Sequence, residues 1–265
     1  MSERFAVGIE GIGVWAPGVP DWAAAASALC GNVDIVPEPA ARPAPSVLAP
    51  NERRRAPESV LLALEVAQQA CAMSGRPASE LPHVFASAYG DLAINDYLCA
   101  TLARAAAEVS PIRFHNSVHN APAGYWAIAT GCQQSSTALS AGGATFGAAL
   151  LEAALLAHVQ ARAVLLAAYD VAAVGPLRDV IDCSVPFGAA FVLAPPAGGA
   201  YARLDLELRA PAAALAPGSA LLHALYAGNA AARALPLLQA LARREPCRVD
   251  VAAGDDLDLV LEISF

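Results

Sequence analysis

The stretch 135–170 constrains the fold more than any other part of this sequence. A short strand over 135–140 leads through Gly142 and Gly143 into a helix over 145–159 that is apolar nearly all round. The continuous apolar run 163–168 follows and ends at Asp170. A helix without a polar face has to be covered on every side. A strand without alternation suits a sheet that is covered on both faces. The expectation is a layered α/β fold built around this strand–helix–strand unit. Glu152 and His158 interrupt the apolar stretch 144–159, which is too short to span a bilayer, so no membrane span is expected.

The remaining elements agree with that class. Residues 5–14 read as a glycine-containing buried strand, and Asp21 caps a short helix that Gly31 stops. The proline-rich stretch 32–51 reads as a surface loop. The clearest amphipathic helix is 57–73, with Leu61, Leu64, Ala67 and Cys71 on one face. A strand is expected at 83–88, a helix at 91–109, a helix within 116–130 and a strand at 189–194. Beyond residues 195–199 the pattern changes to an alternating strand at 201–209, a helix at 221–244 interrupted near Gly228, and a terminal strand at 257–264.

Composition removes several function classes. Of 265 residues, 57% are hydrophobic and 15% charged, and the net charge is −8. An acidic chain lacks the basic face that nucleic acid requires. All sixteen basic residues are arginines, which excludes lysine Schiff-base chemistry and a P-loop lysine. The six cysteines are scattered without a CxxC pair, so they read as small buried hydrophobes and no metal or cofactor is expected. The first residues show no signal-peptide pattern, and the expected location is cytoplasmic.

Four segments, in order, carry a family resemblance: VGIEGIGVWAPG at 7–18, NERRRAPESVLLALEVAQQA at 51–70, SPIRFHNSVHNAPAGYWAIATG at 110–131, and the strand–helix–strand at 135–170. Together they resemble the β-ketoacyl synthase family over roughly residues 5–195. The wording FHNSVHNAPAGYW is similar to that of the short chain length factor type found with aryl polyene and polyketide clusters. The resemblance implies a thiolase-like α-β-α fold, specifically the N-terminal half of a ketosynthase. The whole chain, 1–265, would be a single such domain, with 5–195 as its core and 196–265 as a short C-terminal extension.

In active members a cysteine opens the central helix, and here that place holds Gly142. Cys132 lies before the strand 135–140 and Cys183 follows the strand that ends at Asp170, so neither sits at a helix N-terminus where a thiol is activated. Only His223 lies beyond residue 195, whereas the family takes two histidines from its second half. Ser140 and Thr145 flank the glycines without a paired base. The resemblance therefore implies a subunit that does not condense alone, paired with an active ketosynthase and served by an acyl carrier protein. Phe114, His115, Val118, Tyr125 and Trp126 are expected at its interface or acyl tunnel, with ordinary core packing as the alternative. Arg53, Arg54 and Arg55 are expected to meet the carrier protein or to form a solvated face. His115 and His119, four apart, fit one helix face, but no third ligand accompanies them. The run 114–151 contains no Asp, Glu, Lys or Arg, which fits a buried element or a large interface. Two rival functions remain open: an acyltransferase or thioesterase with an unrecognised nucleophile, and an acyl-binding homodimeric scaffold.

Overall fold

The computed structural model describes residues 4–35, 42–197, 199–211 and 228–265. Among these, eight strands form one mixed sheet in the order β3-β2-β4-β5-β1-β6-β8-β7. The strands are β1 (Phe5–Trp15), β2 (His83–Ala86), β3 (Ser136–Leu139), β4 (Val164–Asp170), β5 (Phe187–Ala194), β6 (Ala202–Arg209), β7 (Cys247–Gly254) and β8 (Leu257–Ser264). β2 runs parallel to both β3 and β4, and all other pairings are antiparallel. The helices are α1 (Trp22–Leu29), α2 (Pro50–Arg55), α3 (Glu58–Ser74), α4 (Leu92–Arg104), α5 (Pro111–His115), α6 (Ala121–Thr130), α7 (Thr145–Gln160) and α8 (Leu235–Arg243).

Alternation along the strands separates two cores. Val84 and Ala86 of β2 join α7, α1 and α8 on one face. Phe85, between them, joins α3 and α6 on the other, its ring centroid 6.2 Å from that of Trp126 and tilted by 48°. The two layers approach the sheet very closely. A Cβ on Gly13 of β1 would lie 2.0 Å from the Val66 carbonyl oxygen of α3, so only glycine allows this contact.

The central unit appears as the sequence indicates: β3, a 3-10 turn at Gly142–Ala144, α7 and a fully buried β4. By length and composition the stretch Gly142–Gln160 would also suffice to cross a membrane. Here its Phe146, Ala149, Leu150, Ala153 and Ala157 are packed in the core, whereas Leu155 and Val159 on the other side are exposed, so the helix is not covered all round as its sequence suggests.

Several boundaries differ from expectation. α4 stops at Arg104 and is followed by a separate 3-10 turn at Ala106–Glu108. α2 and α5 are short helices of their own, each with a proline in its first turn. His115 therefore ends α5 while His119 lies in the following turn, and the two share no helix. The C-terminal strands extend the same sheet. β7, which sequence periodicity did not reveal, curls back onto α7 at Gly147. Of the expected helix at 221–244, Leu235–Arg243 is present and 221–227 lies outside the described residues.

Candidate functional site

The C-terminal ends of β2, β3 and β4 converge on the junction between β3 and α7. Gly142 has φ +54°, the left-handed region, and a Cβ there would meet nothing within 4 Å. The turn, not crowding, thus favours glycine, and a side chain would cost about 1 kcal/mol. The neighbouring hydroxyls are committed to backbone. Thr145 Oγ1 accepts from Ala141 N at 2.9 Å and donates to the Gly142 carbonyl at 2.7 Å. Ser140 Oγ donates to the Ala88 carbonyl at 3.1 Å.

Cys30, Cys99 and Cys247 are exposed, and the three buried thiols, Cys71, Cys132 and Cys183, are unsuited to attack. Cys132 is buried, and its Sγ donates to the Leu81 carbonyl. Cys183 is buried and donates to the Val171 carbonyl. Burial pushes the Cys183 and Cys71 thiols up to about 12, the opposite of an activated thiolate. His223 lies outside the described residues.

Behind the junction sits a buried carboxylate that sequence reading passed over as a strand end. Asp170 Oδ1 accepts from Ser87 Oγ at 2.7 Å, Ala88 N at 2.9 Å and Tyr89 N at 3.3 Å. Asn229 Nδ2 donates to the Asp170 carbonyl at 3.1 Å and to the Val185 carbonyl at 2.9 Å. Burial pushes Asp170 up to about 6, against the lowering pull of the hydrogen bonds from Ser87, Tyr89 and Ala88. An acid raised from 3.8 to about 6 holds more protons folded than unfolded between those values. Stability therefore falls as pH rises through that window, by about 3 kcal/mol at 1.36 kcal/mol per pH unit. In Asp170→Asn the amide oxygen can keep the three donors. Urea unfolding at pH 4.5 and 7.5 is expected to show the variant gaining about 2 kcal/mol on the native chain between the two. Parallel pH profiles would contradict a buried ionised Asp170.

The expected interface residues fall into two environments. Phe114 and Val118 are 64% and 52% exposed, and His115 is exposed. Tyr125 is half-buried, its hydroxyl donating to Asn116 Oδ1 at 3.3 Å. Trp126 is buried in the α3–α6 core and lines a shallow groove with Gln68, Cys71 and Thr130. His119 lies with Nε2 2.8 Å from the Ser87 carbonyl. In α2, Arg53 donates to the Ala44 and Pro45 carbonyls and Arg54 to Asn51, while Arg54 and Arg55 are exposed.

Around these lie residues that sequence reading missed. Ile112 and Ile128 are 66% and 83% exposed. β3 is an edge strand, with Ser136 and Ala138 exposed. The two sheet edges differ in chemistry. β7 carries the Arg248–Asp250 ion pair at 2.8 Å, whereas β3 reads Ser-Thr-Ala-Leu with no charge or proline and, among the described residues, no strand beyond it. Soluble proteins ordinarily protect edges with charge, and a bare edge is a template for another strand.

The sequence model for the family described as Beta-ketoacyl synthase, N-terminal domain, matches residues 22–246. No curated protein matches the chain. Among solved structures, the ketosynthase ApeO in complex with its chain length factor ApeC from Xenorhabdus doucetiae matches with TM-score 0.75 and 22% identity, over 97% of this chain and 99% of that one. AntDE:AntF, a type II PKS acyl-carrier protein in complex with its ketosynthase bound to the hexaketide, matches with TM-score 0.77 and 13% identity, over 99% of each chain. PfaC, a keto synthase-chain length factor, matches with TM-score 0.59 and 12% identity, over 99% of this chain and 43% of that one. The thiolase-like fold is common to all of these, and the match over 22–246 shows that this chain belongs to the β-ketoacyl synthase family.

Proposed function

We propose that this chain is a non-catalytic, chain length factor-like partner that pairs with an active β-ketoacyl-ACP synthase and shapes its acyl tunnel. One observation carries the reading: an uncharged run, 114–151, exposes apolar side chains around a bare sheet edge beside a helix that opens without a nucleophile. An exposed apolar patch of this kind marks a protein–protein contact. The solved relatives described as ketosynthase–chain length factor complexes support a ketosynthase as the occupant.

In this reading the partner supplies the thiolate and the histidines, and decarboxylative condensation takes place there. The present chain supplies area, shape and the wall formed by Phe114, His115, Val118 and Tyr125. Trp126 acts from behind, as core support for α6. The acyl chain arrives on an acyl carrier protein, whose acidic surface would meet Arg54 and Arg55, with Arg53 holding α2 against the preceding loop. The whole chain acts as one domain in the cytoplasm, on fatty acid, aryl polyene or polyketide products.

Reconstitution tests the wall directly. With the partner ketosynthase, carrier protein and malonyl donor, Phe114→Ala and Val118→Ala are expected to shift the dominant product by at least one two-carbon extension. Total turnover should stay within about threefold, because an altered cavity changes fit more than chemistry. Mass spectrometry of the carrier-bound products reads this. An unchanged distribution in both variants would place the tunnel wall elsewhere.

A further inference from the structure

We infer that His119 is a positioning residue that holds the partner-facing turn 116–120 in register with the β3–α7 junction. The inference rests on the partner reading above and adds to it the device that sets the shape of the wall.

Phe114 lies in α5 just before the turn and Val118 lies within it; Val118 and Asn120 are exposed, Ser117 and His119 are half-buried, and Asn116 is buried. Within the turn, Ser117 and Ala121 donate backbone hydrogen bonds to the Phe114 and Val118 carbonyls, at 3.1 and 3.0 Å. These bonds fix its local form but not its place on the molecule. Asn116, itself 5% exposed, joins the turn to Tyr125 of α6. His119 links the turn to the loop that follows β2. Its Nε2, facing a carbonyl, must carry the proton and donate to the Ser87 oxygen at 2.8 Å.

The group at the other end of that bond is rigid. Ser87 is fully buried, donates to Asp170 Oδ1 at 2.7 Å and accepts from Gly90 N at 2.9 Å. Gly90, at φ +66°, brings the chain back beneath the imidazole, and a Cβ there would lie 3.7 Å from His119 Cδ2. The next carbonyl, that of Ala88, receives Ser140 Oγ from the β3–α7 junction. The loop 87–90 therefore holds the turn through Ser87 and the junction through Ala88, on two consecutive carbonyls. Loss of the His119 bond would free the turn bearing Val118 and leave the junction in place.

Glutamine places an N–H donor close to where Nε2 of histidine lies, so His119→Gln keeps the bond that His119→Ala removes. The experiment uses the full chain with the partner ketosynthase and three readouts: the dissociation constant, the product-length distribution, and amide hydrogen exchange over 116–121 in the chain alone. The native chain should pair with the ketosynthase. His119→Ala should speed exchange across the turn at least tenfold, weaken pairing about tenfold and broaden the product distribution, with the melting temperature lowered by only a few degrees. His119→Gln should restore all three.

If His119→Ala pairs and produces as the native chain does, or if His119→Gln fails like alanine, the positioning role is overturned while the partner reading stands. If the native chain itself does not pair, the partner reading fails and this inference with it. The control shows this before any variant is compared.

Discussion

Gly147→Ala is expected to lower the stability of this chain by about 3 kcal/mol or more, from one added methyl group. Gly147 lies in the first turn of α7. A Cβ there would fall 2.1 Å from the Ala252 carbonyl oxygen and 2.8 Å from its carbon. Both are backbone atoms of β7, so no rotamer change relieves the overlap. Among the described residues β7 is an edge strand paired to β8, and the added methyl would lift it from the helix it covers. Val251 and Ala253, both buried, would then lose their cover. Against a typical total of about 5–15 kcal/mol, that loss is large. The melting temperature should drop by roughly 6–12 °C for a chain of this length. Gly124→Ala is the control. Gly124 is exposed in α6 with nothing within 4 Å of its Cβ position, and alanine there should stabilise by about 0.5–1 kcal/mol. If both variants melt alike, β7 does not lie on α7.

Ile128→Arg is expected to abolish pairing with the ketosynthase while leaving the isolated chain intact. Ile128 is 83% exposed and one turn beyond Gly124, so the outward face of α6 is apolar where a free helix would carry charge. In the isolated chain arginine at this site reaches water, and surface substitutions of this kind stay within about 0.5 kcal/mol. In the complex the guanidinium would be buried beside a run, 114–151, that offers no carboxylate to pair with it. An unpaired buried charge costs several kcal/mol, so a loss of about 3 kcal/mol, roughly a hundredfold in Kd, is the minimum expected. Surface plasmon resonance against the immobilised ketosynthase measures it, and a melting curve of the free variant confirms the fold. Retained affinity would remove α6 from the interface.

The parts of the fold legible in the sequence are those whose pattern has a single physical reading. An unbroken apolar strand has to be covered, and β4 is; the all-round apolar helix is covered on one side only, since α7 packs Phe146 and Leu150 in the core but leaves Leu155 and Val159 38% and 76% exposed. Pro57 and Gly75 bound α3 within one residue of expectation, with Gly75 left-handed at φ +67° as a helix stop requires. α5 escaped notice because five residues are too few to show a period, and its place is set by Pro111 and by the stacking of Arg113 on Tyr97. β7 escaped because its exposed half, with Arg248 and Asp250, resembles a solvated loop until β8 is known to lie beside it.

The candidate site divides the same way. Gly142 stood out because one residue type was missing from a recognisable place. The uncharged run was visible too, but composition does not say whether apolar residues face their own core or a partner. Phe146 and Ile128 look alike in sequence; one is 0% exposed and the other 83%. Trp126 reads as an interface aromatic and packs inward on Phe85. Asp170 gave no signal at all, since its significance lies in donors from residues 87–89, more than eighty positions away.

The most direct test of a partner role is native mass spectrometry of the tagged native chain co-expressed with the ketosynthase encoded nearest to it. The account predicts a one-to-one heterodimer that Ile128→Arg dissolves. A homodimer or free monomer that leaves the ketosynthase unbound would contradict it and turn attention to a self-paired β3 edge holding an acyl ligand.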